Sequence, residues 1–332
     1  MIRWLQGGRR GVLIISFVCG TAAVLAPASA ETSLTVGKSS PTGDALLPAN
    51  IGDELGIFKK HGLDLKIIDF TGGSKMAQAV AAGSVDIGDG AGTELAFVAK
   101  GAPMLAVCES AGPAPYLGVG VPWDSPVKKL EDLKGKTIGV STPGSFSDWL
   151  AHQLAQKYGW GKDGVTTVAI GNGAATVAAA FKTHHIDANI SNTSIFLAFE
   201  DSKEGHLIAP VSVYSGNVAS GVLYASNDLM AKNPQAIRAF IAAWIETADY
   251  MRAHKPETVK ITASLTHFDE SVMSREYDLT IAMHTKDCRF DAESLTTLKQ
   301  SFYDLKLVEG EVDMTKLYTE AFAPKGESHA AQ

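Results

Sequence analysis

Hydroxyl- and glycine-rich segments recur in this chain where a predicted strand passes into a predicted helix. Four can be located, at residues 39–42 (SSPT), 71–74 (TGGS), 90–93 (GAGT) and 141–145 (STPGS). In a parallel sheet such loops lie at the carboxyl edge of the strands, where ligands bind. Each also offers free backbone N–H groups and the positive end of a helix dipole. A single loop could simply cap its helix, but the set of four favours a binding site.

The sequence contains no motif that would carry out catalysis. It has no GxSxG nucleophile elbow, no HExxH, no CxxC and no Walker loop. His184 and His185 are adjacent, so on a helix they point apart and cannot share a metal ion. The segment Gly171-Asn172-Gly173 lacks the rest of a dinucleotide-binding pattern, and we predict that it forms a turn. We therefore predict no catalytic residue, no metal site and no cofactor.

The charge balance argues against nucleic acid as a partner. The chain has 29 basic and 36 acidic residues, a formal net charge of -7. Arg3, Arg9 and Arg10 lie in a 30-residue N-terminal segment that contains no acid, so its removal would leave a net charge of -10. Such a protein has no general electrostatic attraction for phosphate backbones or anionic lipids.

The distribution of arginine limits how an anion could be held. After Arg10 the next arginine is Arg238, and the four loops contain none. A bidentate guanidinium clamp is therefore not available from these loops. Backbone N–H groups and hydroxyls would have to serve, and about five or six charge-assisted hydrogen bonds of roughly 1.5–3 kcal/mol each suffice for micromolar binding.

The first 30 residues have the pattern of a secretory signal. Three arginines precede the apolar run GVLIISFVCGTAAVLAP, and Ala28-Ser29-Ala30 supplies small residues before Glu31. We predict cleavage after Ala30 and release into the periplasm, by general secretion or by the twin-arginine route. Residues 323–332 are predicted to form a flexible tail.

Two cysteines, Cys108 and Cys288, remain after this cleavage. An oxidising compartment would permit a disulfide, but 180 residues separate them and sequence does not place them in space. We expect two buried thiols, with a disulfide as the alternative.

Strands and helices alternate from residue 33 onwards, which predicts an α/β fold with parallel sheets flanked by helices. A first series ends near residue 116 and a second runs to residue 225, after which the pattern is helical. In the first series, residues 45–62 are predicted to form one helix that ends at Gly62. The clearest helix begins at Pro234 and continues to about Lys255, and one face of it is an apolar stripe predicted to be buried: Ile237, Phe240, Ile241, Trp244, Ile245, Ala248 and Met251. We predict lobe I from residues 31–116 and 226–322, and lobe II from residues 117–225. The runs 117–121 (LGVGV) and 221–225 (GVLYA) would be adjacent hinge strands.

The chain resembles a known family in several consecutive segments. GKSSPTG, DELGIFKKHGLDLKI and TGGSKMAQAVAAGSVDIGDG resemble the nitrate/sulfonate/taurine branch of periplasmic solute-binding proteins, as do LEDLKGKTIGVSTPGS and NPQAIRAFIAAWIETADYM. The resemblance spans nearly all of residues 33–320. It implies a two-lobed fold with two hinge strands, and delivery of a small solute to the permease and ATPase of an ABC importer.

The resemblance also implies which loops face the solute. By position they contribute ligand-binding residues from both lobes: Ser39, Ser40, Thr42, Gly73, Ser74, Gly92, Thr93, Thr142, Gly144 and Ser145. From the residues themselves we add Phe146, as a wall of the site or a core residue, and Asn192, as a polar contact or a turn. Ser145→Ala should weaken an anionic ligand by about 1–3 kcal/mol while leaving the fold nearly intact.

The sequence is compatible with three classes of function. The first is a monomeric receptor for a small, anionic organic solute, such as a sulfonate, an oxyanion or an aromatic acid. The second is an enzyme of the same fold that acts on a small pyrimidine-like or carboxylate substrate. Eukaryotic pyrimidine-synthesis enzymes of this fold carry a cysteine-rich motif that this sequence lacks. The third is an extracytoplasmic sensory or adhesion module without a permease.

Overall fold

The computed structural model describes residues 31–43, 46–161 and 163–325. The predicted signal segment and residues 326–332 of the predicted tail lie outside this part of the chain. The strands are β1 (Thr32–Lys38), β2 (Leu63–Asp69), β3 (Ile87–Gly90), β4 (Met104–Ala111), β5 (Leu117–Pro122), β6 (Thr137–Val140), β7 (Thr166–Ala169), β8 (Ala188–Asn192), β9 (Gly205–Pro210) and β10 (Gly221–Ser226). The helices are α1 (Pro48–Glu54), α2 (Ile57–Lys60), α3 (Gly73–Ala81), α4 (Leu95–Ala99), α5 (Phe146–Lys157), α6 (Ala174–Lys182), α7 (Thr193–Ser202), α8 (Ser212–Ser215), α9 (Asn227–Lys232), α10 (Pro234–Ala253), α11 (Lys255–Thr266), α12 (Glu270–Thr280) and α13 (Ala292–Asp304). Within the described chain, no helix has the length and apolar character needed to cross a membrane.

The strands form two five-stranded sheets with the same pattern. The first has the order β2-β1-β3-β10-β4 and the second β7-β6-β8-β5-β9. In the first, β1 pairs in parallel with β2 and β3, whereas β10 is antiparallel to β3 and β4. In the second, β6 pairs in parallel with β7 and β8, whereas β5 is antiparallel to β8 and β9. Each sheet is therefore mixed, with one antiparallel strand among its parallel ones.

This architecture confirms the predicted α/β, two-lobed class and corrects one detail of it. We use lobe I for the half that carries the first sheet and lobe II for the half that carries the second. The two predicted hinge strands, β5 and β10, were expected to be adjacent. They lie instead inside different sheets, β5 in lobe II and β10 in lobe I. Because β10 begins at Gly221, residues 221–225 lie with lobe I and not with lobe II as predicted. The predicted boundary at residues 116/117 stays a prediction.

The chain crosses between the sheets twice, and the two crossing segments bond to each other. They are residues 112–116, after β4, and residues 211–220, after β9. The hydroxyl of Tyr116 donates to the carbonyl of Ser220 at 3.1 Å, and the Ser220 N–H donates to the carbonyl of Ala111 at 3.1 Å. The Ser220 hydroxyl also donates to the carbonyl of Gly112. These bonds hold both crossings at one place in the molecule.

Helix α10 shows how the sequence pattern produces the core of lobe I. Its start is capped because the Ala236 N–H donates to the Asn233 side chain at 3.2 Å, and Pro234 occupies the first turn. The predicted apolar stripe is buried except for the half-buried Ile245, and Phe240 and Trp244 are fully inaccessible to solvent. The helix prediction is confirmed.

Other helices differ from the prediction. The segment 45–62 was expected to be one helix, but it forms α1 and α2 because Gly56 adopts a left-handed conformation with φ of 69°. Helix α7 was not predicted, since its residues follow β8 without an intervening turn signal. The C-terminal helices, assigned to lobe I, also contact lobe II. Glu276 of α12 accepts hydrogen bonds from the Thr193 hydroxyl at 3.0 Å and from the Ser194 N–H at 2.9 Å, at the start of α7.

The two cysteines form a disulfide, so the expectation of two buried thiols was wrong. Cys108 of β4 is bonded to Cys288, in the segment between α12 and α13, and their Cα atoms are 4.5 Å apart. Both residues are fully buried beneath α10. The fold brings together two residues that are 180 positions apart in the sequence.

Candidate binding site

A cavity lies where the carboxyl ends of the parallel strands of the two sheets face each other. Its volume is about 60 Å³, several times the roughly 10–15 Å³ that a cavity needs to hold a single water molecule. The site therefore has room for a small solute. The lining residues come from both lobes: Ser39, Ser40, Gly43, Leu46, Gly73, Gly90, Ala91, Glu94, Tyr116, Leu117, Ser141, Ser145, Phe146, Ser147, Asn172, Ile190, Ser191 and Asn192.

The lobe I wall is built from the loops after β1, β2 and β3. Lys38, buried at the end of β1, lies 3.3 Å from Asp69 and donates to the carbonyl of Pro41 at 3.3 Å. These contacts hold the serine loop against the sheet. After β3, the Ala91 N–H donates to Oε2 of Glu94 at 2.8 Å and closes a tight turn.

A glycine at the start of α3 makes room for the Glu94 side chain. A methyl group at Gly73 would overlap Oε1 of Glu94, so only glycine permits this approach. The carboxyl group consequently lies next to the first turn of α3. It is a buried acidic side chain, 2% exposed, in the wall of the cavity.

The lobe II wall centres on the serine loop between β6 and α5. The Ser141 N–H donates to the Ser147 hydroxyl at 3.0 Å, and the Ser141 hydroxyl donates to that of Ser145 at 3.0 Å. Ser145 also caps α5, because the Asp148 N–H donates to its hydroxyl at 3.4 Å. Phe146 forms part of the cavity wall, with its ring stacked on Trp149 at 5.6 Å between centroids.

Hydrogen bonds join the lobes around the cavity. The side-chain amide of Asn172 donates to the carbonyl of Ser39 at 3.2 Å, and that of Asn192 donates to the Thr42 hydroxyl at 2.9 Å. On the outer side, the Ser74 hydroxyl donates to the carbonyl of Pro143 at 3.3 Å. The structure therefore shows the two lobes in contact at the cavity rim.

Several polar atoms at the cavity are buried without a hydrogen-bond partner in the described protein. They include the hydroxyls of Ser40 and Ser191 and Oδ1 of Asn172. Buried polar atoms are nearly always hydrogen-bonded in folded proteins, to protein, water or ligand. These three atoms line one cavity, so they are the groups with which a solute can bond.

The electrostatics of the cavity are dominated by Glu94. Burial raises the pKa of its carboxyl group to about 7, although the bond from the Ala91 N–H favours the ionised form. Among the described lining residues none is lysine, arginine or histidine. Asp89 of β3 is also buried, and burial raises its pKa well above the ordinary value, against the opposing charge of Lys38. Neither Asp89 nor Lys38 lines the cavity.

Comparison with known proteins agrees with this geometry. A family model described as NMT1/THI5-like matches residues 46–258, more than half of the chain. The chain belongs to the NMT1/THI5-like family.

Individual relatives are similar over much of their length. A Brucella abortus (strain 2308) protein, provisionally named a binding protein, is 29% identical over 228 residues, covering 68% of this chain and 69% of the relative. The 4-amino-5-hydroxymethyl-2-methylpyrimidine phosphate synthase of Candida albicans (strain WO-1) is 27% identical over 222 residues, covering 64% of this chain and 65% of that enzyme. The relatives of this chain therefore include one protein named as a binding protein and one named as a synthase.

A solved structure shares the fold. The alkanesulfonate-binding protein SsuA from Xanthomonas axonopodis pv. citri, bound to MOPS, matches with a TM-score of 0.74 at 18% identity, over 88% of this chain and 99% of SsuA. The resemblance to periplasmic solute-binding proteins that the sequence showed is thus confirmed at the level of family and fold.

Half of the predicted ligand-binding residues line the cavity in the structure. The lining includes Ser39, Ser40, Gly73, Ser145, Phe146 and Asn192. The other six predicted residues are Thr42, Ser74, Gly92, Thr93, Thr142 and Gly144.

Those six lie around the cavity without lining it, for different reasons. Two, Thr42 and Ser74, take part in the bonds between lobes. Gly92 packs beneath Leu298, with Thr93 buried beside it. Thr142 lies against Gly72, and the Gly144 N–H donates to Asp148 at 2.8 Å.

Two polar residues of the site were not predicted from the sequence. Glu94 was not singled out, because alanine at position 91 lacks the Ser or Thr that marks a capping box in a sequence, although the Ala91 N–H does donate to the Glu94 carboxylate. Asn172 was taken as a turn residue, but its loop follows β7 and therefore lies at the same edge as the serine loop after β6.

Proposed function

We propose that this protein is an extracytoplasmic receptor that encloses a small organic solute between two lobes for an ABC importer. The observation that carries the proposal is the cavity, whose lining comes from loops at the carboxyl edges of both sheets. A solute in this position bonds to both lobes at once, so its binding energy favours the closed form. The permease then recognises that form.

Several further features support this role. The bonds from Asn172 and Asn192 across the cavity rim show that the lobes fit together around the site. A relative in sequence is provisionally named a binding protein, and a solved structure with the same fold is a sulfonate-binding protein. Under this proposal the protein acts in the periplasm as a monomer, and its partners are the solute, the permease and the permease's ATPase.

The sequence predicts an anionic solute, such as a sulfonate, an oxyanion or an aromatic acid. The serine hydroxyls and the backbone N–H groups of the cavity would donate to its oxygens. An ionised Glu94 would repel an anionic solute in the same cavity. The described lining contains no cationic side chain that would offset this repulsion. A purely anionic solute would therefore leave the charge of an ionised Glu94 uncompensated.

A second candidate function is an enzyme acting on a small pyrimidine-like or carboxylate substrate. The Candida relative is a synthase, and a carboxyl group with a pKa of about 7 has the value that suits a general acid or base. The geometry supports this candidate less well, because no second acid or base among the described lining residues stands beside Glu94.

Native mass spectrometry of freshly purified protein tests the proposal. We expect a retained solute in the wild type and none in Ser39→Phe, which fills the cavity. Ser84→Phe, at an exposed position of the same lobe, is the matched control and should retain it. Small-angle scattering should show compaction when the isolated solute is returned to stripped protein.

Two outcomes would count against the receptor. Absence of any retained solute, together with no compaction by cell extract, would overturn the proposed function. Release of a chemically altered solute after incubation would favour the enzyme instead.

A further inference from the structure

The cavity wall has an unusual balance of charge for a site expected to hold an anion. Among the described lining residues, Glu94 is the one with an ionisable acidic side chain, and none carries a basic one. Polar character otherwise comes from hydroxyls, two asparagine amides and the backbone. The neighbourhood of a bound solute is therefore neutral or negative.

The Glu94 carboxyl group has acceptor capacity left over. One bond, from the Ala91 N–H to Oε2, closes its own turn. Its own backbone N–H and the Thr93 hydroxyl also stabilise the ionised carboxylate. A carboxylate has about four acceptor sites, so some capacity remains for a donor on a solute. The side chain is 2% exposed and lies in the cavity wall, where bulk water does not compete freely for those sites.

Two further acceptors lie in the same lining. Oδ1 of Asn172 and the hydroxyl oxygen of Ser191 are buried without a partner in the described protein. The opposite side-chain atom of Asn172, its amide nitrogen, is already bonded to the Ser39 carbonyl. A solute that donates hydrogen bonds satisfies these atoms, whereas an oxyanion with acceptors alone cannot satisfy Oδ1.

A buried carboxylate needs either a proton or a cation. Burial raises the pKa of Glu94 to about 7, which shows the cost of ionisation in the absence of a cationic partner. An anion beside this group adds repulsion, and a cation removes the cost.

We propose that the solute presents a cationic N–H donor, a primary ammonium or an amidinium group, to the carboxylate of Glu94, which makes Glu94 the residue that selects the ligand class. This inference rests on the proposed receptor function and replaces the expectation of a purely anionic solute. The remainder of the solute bonds with the hydroxyls of the lobe II wall.

An isosteric series of probes tests the proposal. Acetamidinium, acetamide and acetate have the same shape and four heavy atoms each, which suits the small cavity, and they differ in charge. Dissociation constants are measured for full-length mature protein by calorimetry or ligand-observed NMR at constant ionic strength. We expect acetamidinium to bind at least about tenfold more tightly than acetate, the ratio that one charge-assisted hydrogen bond supplies.

Variants test whether the preference for acetamidinium over acetate depends on the Glu94 carboxylate. Glu94→Gln keeps an oxygen that accepts from the Ala91 N–H, so the turn survives, and we expect the preference to fall below about threefold. Glu109→Gln is the matched control. Glu109 is also buried with its pKa raised to about 7, but it accepts from Ser294 at 2.8 Å and does not line the cavity. This control should keep the wild-type preference, and so should Glu94→Asp, which keeps the charge, at lower affinity.

Three results would overturn the proposal: equal binding of the three probes, tighter binding of acetate, or binding of none of them. An unchanged preference in Glu94→Gln would also overturn it. These failures are distinct from failure of the receptor, because a retained anionic solute would contradict the ligand class while supporting the proposed function.

Discussion

Replacement of Glu94 by glutamine should change how stability depends on pH. The ordinary pKa of a glutamate is 4.5, and burial raises that of Glu94 to about 7 in the folded protein. Below pH 4.5 the Glu94 carboxyl group is protonated in both the folded and the unfolded protein, and it does not lower the free energy of unfolding. As the pH rises from 4.5 towards 7, the unfolded chain releases its proton and the folded protein does not. Folding therefore loses free energy over this window, by about 3 kcal/mol in total.

Glutamine does not titrate, so the variant escapes this loss. We expect the free energy of unfolding of Glu94→Gln, relative to wild type, to rise by about 3 kcal/mol between about pH 4 and about pH 8. Urea unfolding followed by tryptophan fluorescence measures the difference at each pH. Comparison between two proteins at the same pH cancels the contributions of other titrating groups.

The exposed Glu309 provides the control, since Glu309→Gln should leave the difference nearly constant with pH. A constant difference for Glu94→Gln as well would refute the reasoning, because it would mean that the carboxyl group is solvated in the folded protein. A difference that falls with rising pH would refute it more strongly, since it would imply a cationic partner near the group.

Three further predictions concern stability and closure. Replacing Cys108 and Cys288 together by serine should lower the free energy of unfolding by up to about 5 kcal/mol, the loop-entropy value for a separation of 180 residues; urea unfolding that shows no loss would contradict it. Ser145→Ala should lower stability by about 1 kcal/mol through the lost helix cap, a loss that leaves the fold nearly intact, and thermal unfolding measures this. Asp304→Ala removes an acceptor of α13 for Trp149 of α5 at 3.3 Å. We expect a larger radius of gyration by small-angle scattering, and an unchanged radius would show that this bond does not hold the lobes together.

Local patterns were sufficient to predict much of the fold. The alternation of strands and helices predicted two sheets, and the stripe that includes Phe240 and Trp244 predicted α10, because burial of one helix face is visible as a period in sequence. The order of strands in a sheet is not a local property. For this reason the positions of β5 and β10 in separate sheets, and the contact between Cys108 and Cys288, could not be obtained from spacing.

In the candidate site, too, local sequence patterns predicted some residues, whereas others depend on contacts between distant parts of the sequence. Ser39 and Ser145 were predicted because a loop between a parallel strand and its helix must lie at the carboxyl edge. Glu94 was missed because its burial depends on Gly73, which is 21 positions away in the sequence and leaves space for the carboxyl group. Asn172 was missed because its partner, the carbonyl of Ser39, belongs to the other lobe.

The bond between Cys108 and Cys288 closes a covalent ring, and the ring contains all five strands of the second sheet. If lobe II melts, its two ends stay fastened to the first sheet, and the melted segment searches a smaller volume when it folds again. Closure of this ring also requires that the chain be synthesised at least as far as residue 288. The presence of the disulfide in a sample therefore indicates that β4 and the segment before α13 have come into contact in those molecules.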